Sequence, residues 1–409
     1  MKYAIYLNVF TLFFLFSCQS NDSEDIISTI ELSEKSALMV QSQNEFGLSL
    51  FQQANLDPEK SKGNVMVSPL SVSQALSMTY NGTANVTKQE FESVLGYSGY
   101  TTKEINTNNQ HLVDALLNHD SKVDFTVANS IWHRNDVLVK EPFKNTNRTF
   151  YDAEIAALDF SNTENVKNKI NGWVKDKTRS KIESIIDQVP GNAVMYLVNA
   201  IYFKANWQFQ FDKKSTEDAT FITPSKEVTV PMMKIESTFR FMSNSQYQVV
   251  ELPYGGGKFN MLLVLPSEQT DINQLIADLQ PSDIAAWDDQ LKDANLNVHL
   301  PRFEFEYENE LKEELSNMGL NQAFSPYADF SNMTNASVLI SKVLHKTYIK
   351  TDEEGSEAAA VTAVEIEFTS ALPSSPTVRF NRSFLFFIRE KDTNSNLFIG
   401  KVINPLLKK

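Results

Sequence analysis

From Ser356 to Thr369 the chain runs through fourteen residues without a proline, and its charges follow a period of two. One set of alternate positions holds Ser356, Ala358, Ala360, Thr362, Val364, Ile366 and Phe368. The other holds Glu357, Ala359, Val361, Ala363, Glu365, Glu367 and Thr369, so all three carboxylates share one side. Side chains alternate across a β-strand, so this stretch is a ribbon that can lie in a sheet with an uncharged face turned inward. Fully extended it spans roughly 46 Å at about 3.3 Å per residue. An alanine-rich helix is the other reading of the same residues. Pro373 and Pro376 come only afterwards.

The rest of the chain has the means to build a large core around such a ribbon. Of 409 residues, 42% are hydrophobic and 22% charged, which excludes a disordered tail or a disulfide-stapled miniprotein. The formal charge of −14 argues against an extended phosphate-binding surface, so no nucleic-acid partner is expected. From about residue 36 to residue 409 no linker, repeat or low-complexity block marks a boundary. Ser68-Pro69 caps a helix running to Gly82. Thr87-Lys88-Gln89-Glu90 reads as a capping box opening a second helix toward Leu95. Ile170 to Ile186 reads as a further helix, and Leu311, Leu315 and Met318 mark one ended by Gly319. Val298 to Tyr307 alternates as one strand, aromatic on one side and charged on the other. Gln248–Tyr254 and Phe259–Leu265 flank Gly255-Gly256-Gly257 as a hairpin, which accounts for the Gly-Gly-Gly-Lys258 run better than a phosphate loop does. Helices and strands without a βαβ rhythm give an α+β fold class.

No catalytic constellation emerges. Gly96-Tyr97-Ser98-Gly99 falls short of a nucleophile elbow, and the carboxylates Glu304 and Glu306 read as the solvated side of a strand. The five histidines are scattered with no metal-ligand spacing, so no metal or cofactor is expected and an enzyme is the lesser reading. At the N-terminus, Met1-Lys2 and the apolar run Tyr3 to Phe16 are too short to span a bilayer and read as a signal peptide over residues 1–17. The run ends Leu15-Phe16-Ser17-Cys18, which resembles a bacterial lipobox. Cys18, the only cysteine in the sequence, would then carry lipid. Residues 18–35 are read as a polar, acidic tether. Gln19 to Asp25 resembles the surface-export signals of some Gram-negative lipoproteins, so an exported outer-membrane lipoprotein is expected, with display at the cell surface as a further option.

Over residues 36–409 the chain resembles a serpin, on six stretches in order. They are Asn64 to Ser71 with Ala75-Leu76; Asn171 to Val174 with Thr178 and Lys181-Ile182; Leu197 to Lys204 with Trp207; Glu353-Glu354-Gly355-Ser356-Glu357-Ala358-Ala359-Ala360; Phe380 to Phe384; and Phe398 to Pro405. The resemblance implies three sheets, about nine helices and an exposed reactive-centre loop over about residues 353–379, in a metastable fold. It also implies suicide inhibition. A serine or cysteine endopeptidase cuts the loop, an acyl-enzyme forms, and the loop enters the central sheet before the acyl bond is hydrolysed.

Several residues carry over by position. The hinge is Glu353, Gly355, Ser356, Glu357, Ala358, Ala359 and Ala360. In inhibitory serpins the scissile residue follows the hinge glycine by 14 positions, which gives Thr369-Ser370 here. The stretch from Gly355 to Phe380 is about three residues longer than usual, so Phe368-Thr369 and Ser370-Ala371 stay open. Small residues at the bond favour an elastase-like or subtilisin-like target, whereas cutting after Phe368 would suit a chymotrypsin-like one. Ser68, Ser71, Asn199 and His345 match the polar cluster beneath the central sheet where it parts, and Trp207 matches the tryptophan where insertion begins. Asn85 and Ala205 stand where the family often has glycine. A monomer is expected. The alternative within the family is a non-inhibitory serpin acting as a binding or scaffold protein, whose hinge usually carries bulky, charged or proline residues.

Overall fold

The structure is a computed structural model, and it describes residues 29–57, 60–356 and 375–408. The expected signal peptide, Cys18, hinge residues Glu357, Ala358, Ala359 and Ala360, and the bonds around Phe368, Thr369, Ser370 and Ala371 lie outside the described residues.

Among the described residues there are nine α-helices: α1 (Glu34–Leu56), α2 (Pro69–Tyr80), α3 (Asn85–Val94), α4 (Thr102–Leu117), α5 (Glu141–Tyr151), α6 (Thr163–Lys177), α7 (Ile272–Asp278), α8 (Pro281–Gln290) and α9 (Lys312–Asn317). The central sheet has six strands among the described residues, in the order β10 (Phe303–Glu310), β11 (Leu344–Thr351), β12 (Gly355–Ser356), β4 (Met195–Asn206), β2 (Val123–Arg134) and β3 (Glu154–Leu158). A nine-stranded sheet runs β1 (Val65–Val67), β15 (Asn396–Val402), β14 (Phe384–Glu390), β8 (Phe259–Pro266), β7 (Tyr247–Tyr254), β6 (Glu227–Ser243), β9 (Lys292–Pro301) and β13 (Thr377–Arg379), with β5 (Glu217–Ile222) on β6. The expected three sheets form two hydrogen-bonded ladders because the 17-residue β6 bridges two of them, pairing with β9 along much of its length and with β7 at its end.

Local chemistry explains the helix starts. The Ser68 hydroxyl accepts from the Ser71 N–H at 3.3 Å, and Pro69 takes the first turn of α2. Thr101 and Glu104 form a reciprocal capping box on α4. Strands β14 and β15 are buried at every position, and α2 is buried at all but one, so this helix lies wedged between the two sheets. No helix among the described residues is long and apolar enough to cross a membrane.

Three sequence expectations are corrected. The capping box at Thr87 does not form: α3 begins at Asn85, and the buried Thr87 hydroxyl accepts from the Asp329 N–H at 2.9 Å instead. Asn85 itself sits at φ +49°, a left-handed conformation that asparagine tolerates in place of glycine. The helix expected over Ile170–Ile186 starts seven residues earlier and ends nine residues earlier, Thr163–Lys177, because Asn162 caps its start and the positive φ of Arg179 and Ser180 ends it. The strand expected over Val298–Tyr307 breaks at Arg302 into β9 and β10, which belong to different sheets. The hairpin of β7 and β8 is as expected, with Gly255 and Gly257 at φ +52° and +90° making the turn. Gly319, at φ +112°, ends α9.

Candidate functional site

The site begins where two parallel-running neighbours in the central sheet are held apart by a strand of two residues. Gly355 pairs with Asn206 and Ser356 with Ala205 on β4, while Ser356 pairs with Thr351 on β11. Beyond Ser356 a gap parts β4 from β11, which share no ladder with each other among the described residues. At its far end the gap opens into a cavity of about 270 Å³, lined among others by Ser71, Leu76, Leu197, Asn199, Leu344 and His345. Nearer Ser356, a much smaller void lies over Met66, Phe203, Ile349 and Phe398.

Glycine is required at position 355. A Cβ built there would lie 2.1 Å from the Ala205 carbonyl oxygen and 2.6 Å from Asn206 Cα, both backbone atoms that cannot step aside. Ser356 turns inward and is buried, its hydroxyl sharing a 2.5 Å hydrogen bond with the Tyr254 hydroxyl. Burial pushes the Tyr254 hydroxyl far up, so it keeps its proton for that bond.

The turn leading into the strand is clamped from several sides. Glu353 is 2% exposed and receives Arg302, whose Nε donates to Oε2 at 2.8 Å and whose Nη2 donates to Oε1 at 2.5 Å. The Thr216 hydroxyl also donates to Glu353. Burial alone would raise the Glu353 carboxyl, but these donors outweigh it and hold it below the ordinary range. Trp207 lies flat on Tyr254 at 4.4 Å and donates its indole N–H to the Asp352 carbonyl at 2.9 Å. The Trp207 and Phe211 backbone N–H groups donate to the Glu354 and Glu353 carbonyls. Lys213 pairs with the Glu354 carboxylate.

The polar cluster expected beneath the sheet is gathered, with Trp207 apart from it at the hinge. His345 Nε2 accepts the Ser68 N–H at 3.1 Å, and the Ser68 hydroxyl donates to the Leu397 carbonyl at 2.8 Å. Burial pushes the His345 imidazole down to about 4, so the ring is neutral and free to accept. Asn199 donates to Asn129 Oδ1 at 2.8 Å, while its own buried Oδ1 finds no partner among the described residues. Ser71, Asn199 and His345 thus face the cavity from α2, β4 and β11.

Arg302, Thr216 and Tyr254 were not singled out in the sequence. The only local sign was Arg302 itself, a charge between Pro301 and the aromatic alternation that starts at Phe303.

The whole arrangement matches a known family. The model for "Serpin (serine protease inhibitor)" covers residues 41–405. The chain belongs to the serpin family. Human Serpin B3 is 33% identical over 387 residues, covering 88% of this chain and 98% of its own. Among solved structures, the thermophilic serpin tengpin in its native state matches with a TM-score of 0.82 at 31% identity, covering 92% of this chain and 96% of tengpin. Human thyroxine-binding globulin, complexed with thyroxine, matches with a TM-score of 0.82 at 30% identity, covering 90% of this chain and 99% of the globulin. The expectation of a serpin fold with an α+β class is therefore met, and the nine helices agree with it. Most serpins are protease inhibitors rather than enzymes.

Proposed function

We propose that this serpin is an irreversible suicide-substrate inhibitor of serine endopeptidases, and of cysteine endopeptidases as a second class. One observation carries the reading: Ser356 already sits in the central sheet with its side chain inward, and beyond it β4 and β11 share no ladder among the described residues. Period two fixes the facing of the residues beyond it. If the strand continues, Ala358, Ala360, Thr362, Val364, Ile366 and Phe368 share the inward face of Ser356, and Glu357, Glu365 and Glu367 point outward. The floor they would meet includes Met66, Phe203, Ile349 and Phe398 near Ser356, and the polar Ser71, Asn199 and His345 at the far end.

In this reading the protease nucleophile attacks the Thr369 carbonyl, the Ser370 amine leaves, and the freed ribbon enters the gap while the acyl bond persists. Phe368-Thr369 and Ser370-Ala371 remain the alternative bonds. An elastase-like or subtilisin-like endopeptidase suits the small residues. A lipid on Cys18, after removal of residues 1–17, would anchor a monomer outside the cytoplasm with residues 18–35 as its tether.

The test is cleavage of the loop followed by melting. Insertion should raise the melting temperature sharply, whereas a binding or scaffold serpin with an idle loop should melt unchanged. Ala360→Arg should convert the inhibitor into a substrate, because an unpaired buried charge costs several kcal/mol. If Ala360→Arg traps a protease in SDS-stable complexes as well as the parent, insertion along this face is refuted.

A further inference from the structure

We propose that His119, Glu390 and Asp392 form a site for one divalent transition-metal ion of the zinc class, away from the hinge. His119 follows the end of α4, Glu390 ends β14, and Asp392 lies in the turn to β15. One donor atom from each lies within 4.8 Å of the other two. His119 Nε2 is 3.1 Å from Glu390 Oε1 and 2.9 Å from Asp392 Oδ2, yet makes no well-aligned hydrogen bond with either. The His119 side chain is 2% exposed, so a ring nitrogen aimed between two carboxylates is shut off from bulk solvent.

The spacing suits a small ion. Bonds of about 2.0–2.2 Å to zinc in a tetrahedral arrangement set neighbouring donors roughly 3.3 Å apart, a few tenths of an ångström beyond the distances here. One imidazole and two carboxylates are a donor set for this class of metal.

Lys258 is a cation at the rim of the trio, its Nζ 2.9 Å from Asp392 Oδ2. The donors are also held in place. Glu390 Oε2 accepts from the Thr393 N–H at 2.8 Å and its hydroxyl at 2.6 Å, and Glu390 Oε1 accepts from the Asp392 N–H at 2.7 Å. Asp392 Oδ2 accepts the Ile30 N–H at 3.0 Å, and the Phe259 ring meets His119 edge-on. Such outer contacts fix ligand orientation. Asp392 keeps 14% of its side chain exposed, which gives an ion its way in. A bound ion would tie the junction of α4 and β2 to the turn between β14 and β15, and through Asp392 to Ile30 near the start of the fold.

The experiment is calorimetric titration of the EDTA-treated full chain with zinc, with cobalt(II) absorption as the spectroscopic reading and melting as the third. One ion per chain, cobalt d–d bands, and a melting temperature that climbs with free zinc are expected. His119→Gln and, separately, the milder Asp392→Asn should each weaken binding at least about tenfold. Lys258→Met keeps all three donors and should tighten binding by removing a competing cation. Absence of saturable binding in the parent overturns the proposal, as does equal affinity in both His119→Gln and Asp392→Asn. So does a His119→Gln chain whose stability loss is the same with and without zinc, since the trio would then be an ion-pair network on a protonated imidazole.

Discussion

Replacing Gly355 by alanine adds one methyl group at the point where the hinge meets β4. The new Cβ would sit 2.1 Å from the Ala205 carbonyl oxygen and 2.9 Å from its carbon, contacts no real side chain makes. Strands in a sheet lie about 4.7–4.9 Å apart, so β12 cannot retreat by an ångström and remain paired. It must leave. The losses are the pairings of Gly355 with Asn206 and Ser356 with Ala205, together with the Ser356–Tyr254 bond. Three such bonds at about 1 kcal/mol each amount to about 3 kcal/mol, and a Tyr254 hydroxyl stranded in the core adds ~1–3 kcal/mol. Unfolding entropy of about 2.1 cal/mol/K per residue over a domain of ~370 residues turns the total of about 4–6 kcal/mol into a fall of about 5–8 °C in melting temperature. The functional cost should be larger than the thermal one. Every later residue of the ribbon enters behind Gly355, so Gly355→Ala should be cut by the target protease without trapping it, and the cut form should gain little thermal stability. Differential scanning calorimetry before and after loop cleavage, with the stoichiometry of inhibition, reads both effects. A Gly355→Ala chain that melts with the parent and gains as much on cleavage would refute the claim that β12 is seated against Ala205.

Two further predictions concern charge. Arg302→Ala leaves the buried Glu353 with Thr216 as its remaining side-chain donor. Breaking a buried pair costs about 3–5 kcal/mol, and the half-exposed Arg302 brings the expected loss nearer the lower end. Because Glu353 is held below its ordinary value, its stabilisation is present above about pH 4.5 and fades as pH falls through the folded value. The gap between parent and Arg302→Ala in urea midpoint should therefore be wide at pH 7 and narrow in strong acid. His345 has the opposite charge sense but loses stability in the same direction of pH. Its folded value, pushed down to about 4 from 6.5, means the unfolded chain binds a proton first, so stability is full above about pH 6.5 and falls as pH drops toward 4. That fall from 6.5 to about 4 corresponds to about 3 kcal/mol, which His345→Gln should remove from the pH profile of the urea midpoint.

What was legible in the sequence was local and periodic. Ser68-Pro69 announces α2, Gly255 to Gly257 the turn of the hairpin, and the alternation after Ser356 a ribbon with one uncharged face, because backbone periodicity and caps depend only on neighbours a few residues away. The same local reading failed where a distant partner had the stronger claim. Thr87 is a capping residue by pattern, but Asp329 takes its hydroxyl. Val298 to Tyr307 is one strand by pattern, but it parts at Arg302 because its halves pair with β6 and β11 in different sheets. Only the tertiary structure brings Arg302, Thr216 and Tyr254 onto the hinge, leaves β4 and β11 apart beyond Ser356, and sets His119 against Glu390 and Asp392. These meetings depend on which strands become neighbours, and that is decided by burying the whole core at once rather than by any one stretch of chain.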